Sequence, residues 1–139
     1  MTGVISADNE DLLLRFSEGI IKFNNRDFYD CHDILEDVWF DVRGSSRRFY
    51  QGLIHLAVGF YHILEKDNPK GALSQLNKGI TKLSNYLPEF QGVELKHLLL
   101  EVKDSIIDIE KIINGEKRIF QEKKIPNIIF DPKQFKNPN

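Results

Sequence analysis

Cysteine is almost missing from this chain. Cys31 is the only one, so no internal disulfide can form and the fold must hold by packing alone. That usage makes a cytoplasmic location the expectation. Long apolar runs are missing too. None approaches the roughly 20 residues that a spanning helix needs, so no membrane association is expected. The front end, MTGVISADNEDLLLRF, has no basic segment followed by an apolar one, and no signal peptide is expected. Nor is there an excess of positive charge. The net charge is −2, which makes no case for nucleic acid as a partner. Up to Lys66 there are 11 acidic and 7 basic residues, a net of −4; beyond it there are 10 and 12, a net of +2. Acids and bases interleave in both parts, the pattern of a solvated surface.

What is present is helical periodicity. With 139 residues, 41% of them apolar, the chain is long enough for one domain over 1–139 with a single core. Leu12, Leu13, Phe16, Ile20 and Phe23 recur at steps of three and four and predict a helix over about 8–24, with Asp8 or Asn9 as its cap. Phe28, Cys31, Leu35, Val38 and Trp39 predict a second over about 27–40. The turn DVRGSS then offers Ser45 or Ser46 as a cap for a third, over about 47–66, which is apolar nearly all round and therefore central. Gly52 and Gly59 lie on one side of it, where another backbone or a ligand is expected to approach. Asn68-Pro69 is a strong start signal for a fourth helix, over about 69–86. Pro88 and Gly92 bracket a loop, and a fifth helix runs over about 93–114 to an Asn-Gly stop. Residues 116–139 are too broken by proline for a helix and too apolar for a free tail; an extended strap over the helices is expected, fraying near Asn139. The fold class expected is all-α: a compact bundle of about five helices with a C-terminal strap.

The chemistry gathers between Phe23 and His62, which hold the only Trp and three of the four His. His32 and Glu36 are four residues apart, so both project from one face of the second helix, about 6 Å apart at Cβ. Gln51 and His55 repeat that spacing on the third, where Arg48, Gln51, His55 and His62 share an arc of roughly 60°. A short turn joins the two helices, so they are expected to run antiparallel as neighbours. Facing arcs would bring His32, Glu36, Gln51 and His55 together, whereas His62 lies about 10 Å further along the axis. Two imidazoles and a carboxylate are a recurrent set for catalytic zinc and non-haem iron. His32, Glu36 and His55 are thus the candidate metal ligands, and a divalent ion (Zn, Mn or Fe) is the cofactor they would take. Glu36 and Arg48 are the candidate catalytic groups, the latter holding an anionic substrate or transition state. Gln51, Tyr29 and Trp39 are the candidate ligand contacts, and Asp33 points away from this face. A second reading stays open beside this one: a His on an apolar face with a Glu one turn away also serves as a buried hydrogen-bonded pair that sets helix register.

The motif FNNRDFYDCHDILEDVWF, followed by RRFYQGLIHLAVGFYH and DNPKGALSQLNKG, resembles the domain of unknown function 309 family. The family pattern is Asn-x-x-x-Phe-[Phe/Tyr]-x-x-His-Glu-x-Leu-Glu-x-x-Trp, then an Arg, a Gln-Gly-Leu-Ile run with a later His, and a Gly-Ala pair. Asn24, Phe28, Tyr29, His32, Leu35, Glu36, Trp39, Arg48, Gln51 to Ile54, His62, Gly71 and Ala72 match it. The resemblance implies an all-α fold of about five helices and a predicted metal-dependent hydrolase. Two positions depart: Asp33 stands where the family has Glu, and His55 where it is variable or Gln. Three functions follow: a metal-assisted hydrolase; a non-catalytic helical module binding a small molecule or a protein partner; and a homo-oligomer formed through the apolar edge of the strap.

Overall fold

The computed structural model describes residues 7–139; residues 1–6, the start of the segment read above for a signal peptide, lie outside the described residues. Five helices follow in order: α1 (Ala7–Asn24), α2 (Phe28–Asp41), α3 (Arg47–Glu65), α4 (Pro69–Leu83) and α5 (Lys96–Ile113). A hairpin of two short strands, β1 (Glu89–Phe90) and β2 (Val93–Glu94), precedes α5. The all-α class and the helix count match the periodicity. Several local expectations do not hold. α1 already runs from Ala7, so Asp8 and Asn9 lie inside the helix, past its first residue. Ser46 does not cap α3; its hydroxyl donates to the Pro138 carbonyl at 3.1 Å. α5 starts three residues later than its apolar pattern suggests, because Val93 and Glu94 are taken up as strand. The start of α4 is as expected: the Asn68 side chain accepts from the Gly71 N–H at 3.0 Å, and Pro69 needs no hydrogen bond at the first helical position.

α3 is the central helix, with ten of its residues buried. Two aromatic clusters fill the space around it. Phe16 of α1 meets Phe49 and Tyr50 of α3, and Phe130 and Phe135 of the strap, with ring centroids 5.2–6.2 Å apart. Phe23, Phe28 and Phe60 form the second, at 5.1–6.0 Å. Rings at such spacing add to the burial of their apolar area. The glycines of α3 serve α4. A Cβ at Gly52 would sit 2.7 Å from Leu83 Cγ, and one at Gly59 2.7 Å from Leu76 Cγ. A neighbouring helix, and no ligand, makes that close approach.

The strap is held by named hydrogen bonds as well as by buried Ile125, Ile128 and Phe135. Asn24 clamps the backbone of Ile128, donating to its carbonyl at 2.9 Å and accepting from its N–H at 2.7 Å. Arg26 donates to the carbonyls of Ile125 and Pro126. Gln91, at the turn of the hairpin, is buried and donates to the Tyr50 hydroxyl and to the Lys136 carbonyl, both at 2.8 Å. Asn139 does not fray: its side chain accepts from the Arg43 N–H and donates to the Asp41 carbonyl.

Candidate functional site

α2 and α3 are antiparallel, so residues equally distant from the turn face each other. On α2 the outward stripe is Tyr29, His32, Glu36 and Trp39. Two shallow hollows lie along the seam. One, of about 190 Å³, is lined by Glu36, Trp39, Gln51, Ile54 and His55. The other, of about 200 Å³, is lined by Phe28, Tyr29, His32, Val58, Tyr61 and His62. His32 and Glu36 sit at their junction, one turn apart.

The hydrogen bonds of His32 decide its tautomer. Nδ1 lies 2.9 Å from the Tyr29 carbonyl oxygen. A carbonyl only accepts, so Nδ1 carries a proton, and in the neutral ring the lone pair is on Nε2. Nε2 lies 3.4 Å from Oε1 of Glu36. Two acceptors thus face each other with nothing between them to donate. Such a pair is satisfied by a cation: a second proton on the ring, or a metal ion. A metal-binding imidazole is held in the same manner, its other nitrogen anchored to a backbone carbonyl. Asp33 joins from the other side, with Oδ1 3.6 Å from Nδ1. One ligand atom from each of His32, Asp33 and Glu36 lies within 4.8 Å of the others. Asp33 therefore belongs to the cluster, contrary to its expected direction; as the residue next to His32 it reaches round the ring edge. The side chains of His32 and Glu36 are 23% and 52% exposed. The pair stands in an open groove and is not the buried structural network considered from sequence.

His55 does not join this set. Its Nδ1 donates to Oε1 of Gln75 at 2.7 Å, and its Nε2 accepts from the Lys82 ammonium at 2.9 Å. Both partners belong to α4, and neither ring nitrogen keeps a lone pair for a metal. Burial pushes its basicity below the ordinary imidazole value, Lys82 and Lys78 push the same way, and the Gln75 hydrogen bond opposes them. Arg48 is exposed; it lines neither hollow, and its charge acts on Lys82 of α4. Arg47 takes the groove position instead: its guanidinium lies 4.1 Å from the Trp39 ring centroid and covers that ring. Gln51 lines the Glu36 hollow, and Tyr29 lines the His32 hollow. His62 shares the hollow of His32, and its Nδ1 is buried without a hydrogen-bond partner. The spacing from His55 along α3 does not express this; it is the antiparallel packing of α2 that sets His32 against the stretch from Val58 to His62.

Residues 16–75 match the family described as "Domain of unknown function (DUF309)". Over this segment the chain is similar to that family. The matched segment contains α2, α3 and the first half of α4, hence the whole groove. The chain is 30% identical over 103 residues to the "Uncharacterized protein YpuF" of Bacillus subtilis (strain 168), a match covering 72% of this chain and 59% of that protein. It is also 30% identical over 79 residues to an "Uncharacterized protein" of Aquifex aeolicus (strain VF5), covering 56% of this chain and 23% of that one. The matched region is thus a little over half of the first relative and under a quarter of the second. No helix among the described residues is long and apolar enough to cross a membrane.

Proposed function

We propose that the α2–α3 groove of this chain is a divalent-metal-dependent hydrolytic site. The observation that carries the reading is that Nε2 of His32, an acceptor in the neutral ring, faces the Glu36 carboxylate in an open groove. These two would hold the ion, with Asp33 as the neighbouring carboxylate that could swing in to join them; a nitrogen and carboxylate oxygens suit Zn, Mn or Fe. A divalent ion there supplies a charge that acidifies water and polarises a carbonyl or phosphoryl oxygen. The chain's own residues do the rest. Tyr29 fixes the His32 ring through its carbonyl. Phe28, Val58 and Tyr61 give the substrate an apolar wall and keep water from one side. Gln51 offers an amide on the Glu36 side for orienting a polar group.

Calorimetric titration of the full chain with Zn, Mn and Fe tests this. One saturable site is expected, weakened about tenfold or more in His32→Ala and Glu36→Gln and unchanged in His55→Gln. Because a proton competes for Nε2, affinity should fall as the pH is lowered. A chain that takes up none of these ions, or that binds equally well without His32, rules the reading out. A second reading has its own observation: both hollows are smaller than the roughly 300 Å³ of typical small-molecule sites. That favours a groove that binds a ligand or partner without turnover, in which the ion, where present, only organises the surface. Absence of hydrolysis across ester, amide and phosphoester substrates in metal-loaded protein selects it.

A further inference from the structure

The groove leaves one corner of the molecule unexplained. α4 carries Lys70, Lys78 and Lys82 and no acid at all. It runs against α3 with Gly52 beside Leu83 and Gly79, so its last turn lies next to the first turn of α3. Arg48 therefore stands beside Lys82, with Lys78 one turn away, and both charges press on the Lys82 ammonium. Among the described residues, none of the three is paired with a carboxylate. The hydrogen bond that Lys82 makes goes to a neutral acceptor, Nε2 of His55, whose ring is oriented from below by Gln75. That contact fixes the ammonium but brings no negative charge. Three cations gathered round one point without a counter-charge repel one another, and the half-buried position of Lys82 keeps part of the screening water away.

We propose that Arg48, Lys78 and Lys82, with His55 and Gln75 as the floor, form a binding site for a tetrahedral oxyanion: the phosphate group of a small phosphomonoester, or phosphate itself. The guanidinium supplies a planar fork of donors and the two ammoniums supply point charges, a combination suited to a dianionic phosphate. Three cations on a chain of net charge −2 are too few to track a nucleic-acid backbone. His55 also lines the hollow of Glu36, Trp39, Gln51 and Ile54, about 190 Å³, which has room for the organic part of a monoester. This inference does not rest on the metal reading, since none of its cations belongs to the His32–Asp33–Glu36 cluster.

Isotope-labelled full chain, in chelator and at constant ionic strength, is titrated with inorganic phosphate and with phenyl phosphate and followed by NMR. Saturable shifts are expected at the amides of Arg48 and Lys82 and at the ring nitrogens of His55. Arg48→Gln and Lys82→Gln should each weaken binding about tenfold. Lys82→Arg should keep most of it, and Lys103→Gln on α5 should change nothing. Tighter phenyl phosphate binding with a shifted Trp39 indole assigns a monoester, and equal affinity assigns phosphate; either outcome upholds the site. Non-saturating shifts over all basic residues, or equal affinity in the Gln variants, overturn it. So does a short single-stranded oligonucleotide that binds more tightly than both probes. Thermal melts of the variants guard against loss of fold.

Discussion

α3 is flanked by two seams built on opposite rules. Toward α4 it offers Gly52 and Gly59, which meet Leu83, Leu76 and Gly79, and a Cβ at Gly79 would lie 3.0 Å from the Gly52 carbonyl oxygen. Backbones approach closely there and nothing else fits between them. Toward α2 it offers Ile54, His55, Val58, Tyr61 and His62, met by Tyr29, His32, Glu36 and Trp39. Large side chains stand between the helices there, and hollows remain. The closed seam contributes stability, whereas the open one leaves room for chemistry. The polar groups follow the seams: Nε2 of His32 has no partner from α4, whereas His55, at the edge between the two seams, has both nitrogens engaged by α4.

The largest test of this contrast is Gly59→Val. The added methyls must displace Leu76, whose backbone nitrogen lies 3.2 Å from the new Cβ, so little can give way. A loss of about 3 kcal/mol is expected from urea unfolding; a loss below about 1 kcal/mol would mean that the seam is looser than described. Tyr61→Ala on the open side comes next. Tyr61 is half-buried, with its ring 5.6 Å from that of Tyr29, and its removal should cost about 1 kcal/mol. A cost matching that of Gly59→Val would erase the distinction between the seams.

The smallest effect is a slope. His55 is less basic in the fold than in the unfolded chain, where its value is near 6.5, chiefly because burial disfavours the cation and also because Lys82 and Lys78 repel it. The unfolded chain therefore binds the proton more readily. The contribution of neutral His55 is present in full above about pH 6.5 and declines as the pH falls toward the lower folded value. Urea midpoints between about pH 7.5 and pH 5.5 should fall more steeply for the native chain than for His55→Gln. Equal slopes would show that the ring is not held as a neutral acceptor.

Much of this was readable along the chain. The Asn68-Pro69 start, the apolar stripes of α1 and α4 and the shared face of His32 and Glu36 all lie within one or two helical turns, and helical periodicity expresses them directly. Asn24 was visible as a helix end, but its clamp on Ile128 lies about a hundred residues away in sequence and leaves no local mark. The hairpin was missed because two strands of two residues carry no alternation to detect. Gln91 was missed with it, although a polar residue before Gly92 in a turn gave no sign that it would be buried against Tyr50.

By itself, the sequence determined that the chain is helical, where α2, α3 and α4 lie, and that His32 and Glu36 share a face. These properties depend on backbone hydrogen bonds and side-chain spacing within a few residues. Tertiary structure decided which side of α3 each neighbour takes. Glycines drew α4 to one side, where its Gln75 and Lys82 captured His55, and α2 was left on the other with His62 opposite His32. Such choices depend on which shapes fit across a seam, and no spacing within one helix records the shape of another.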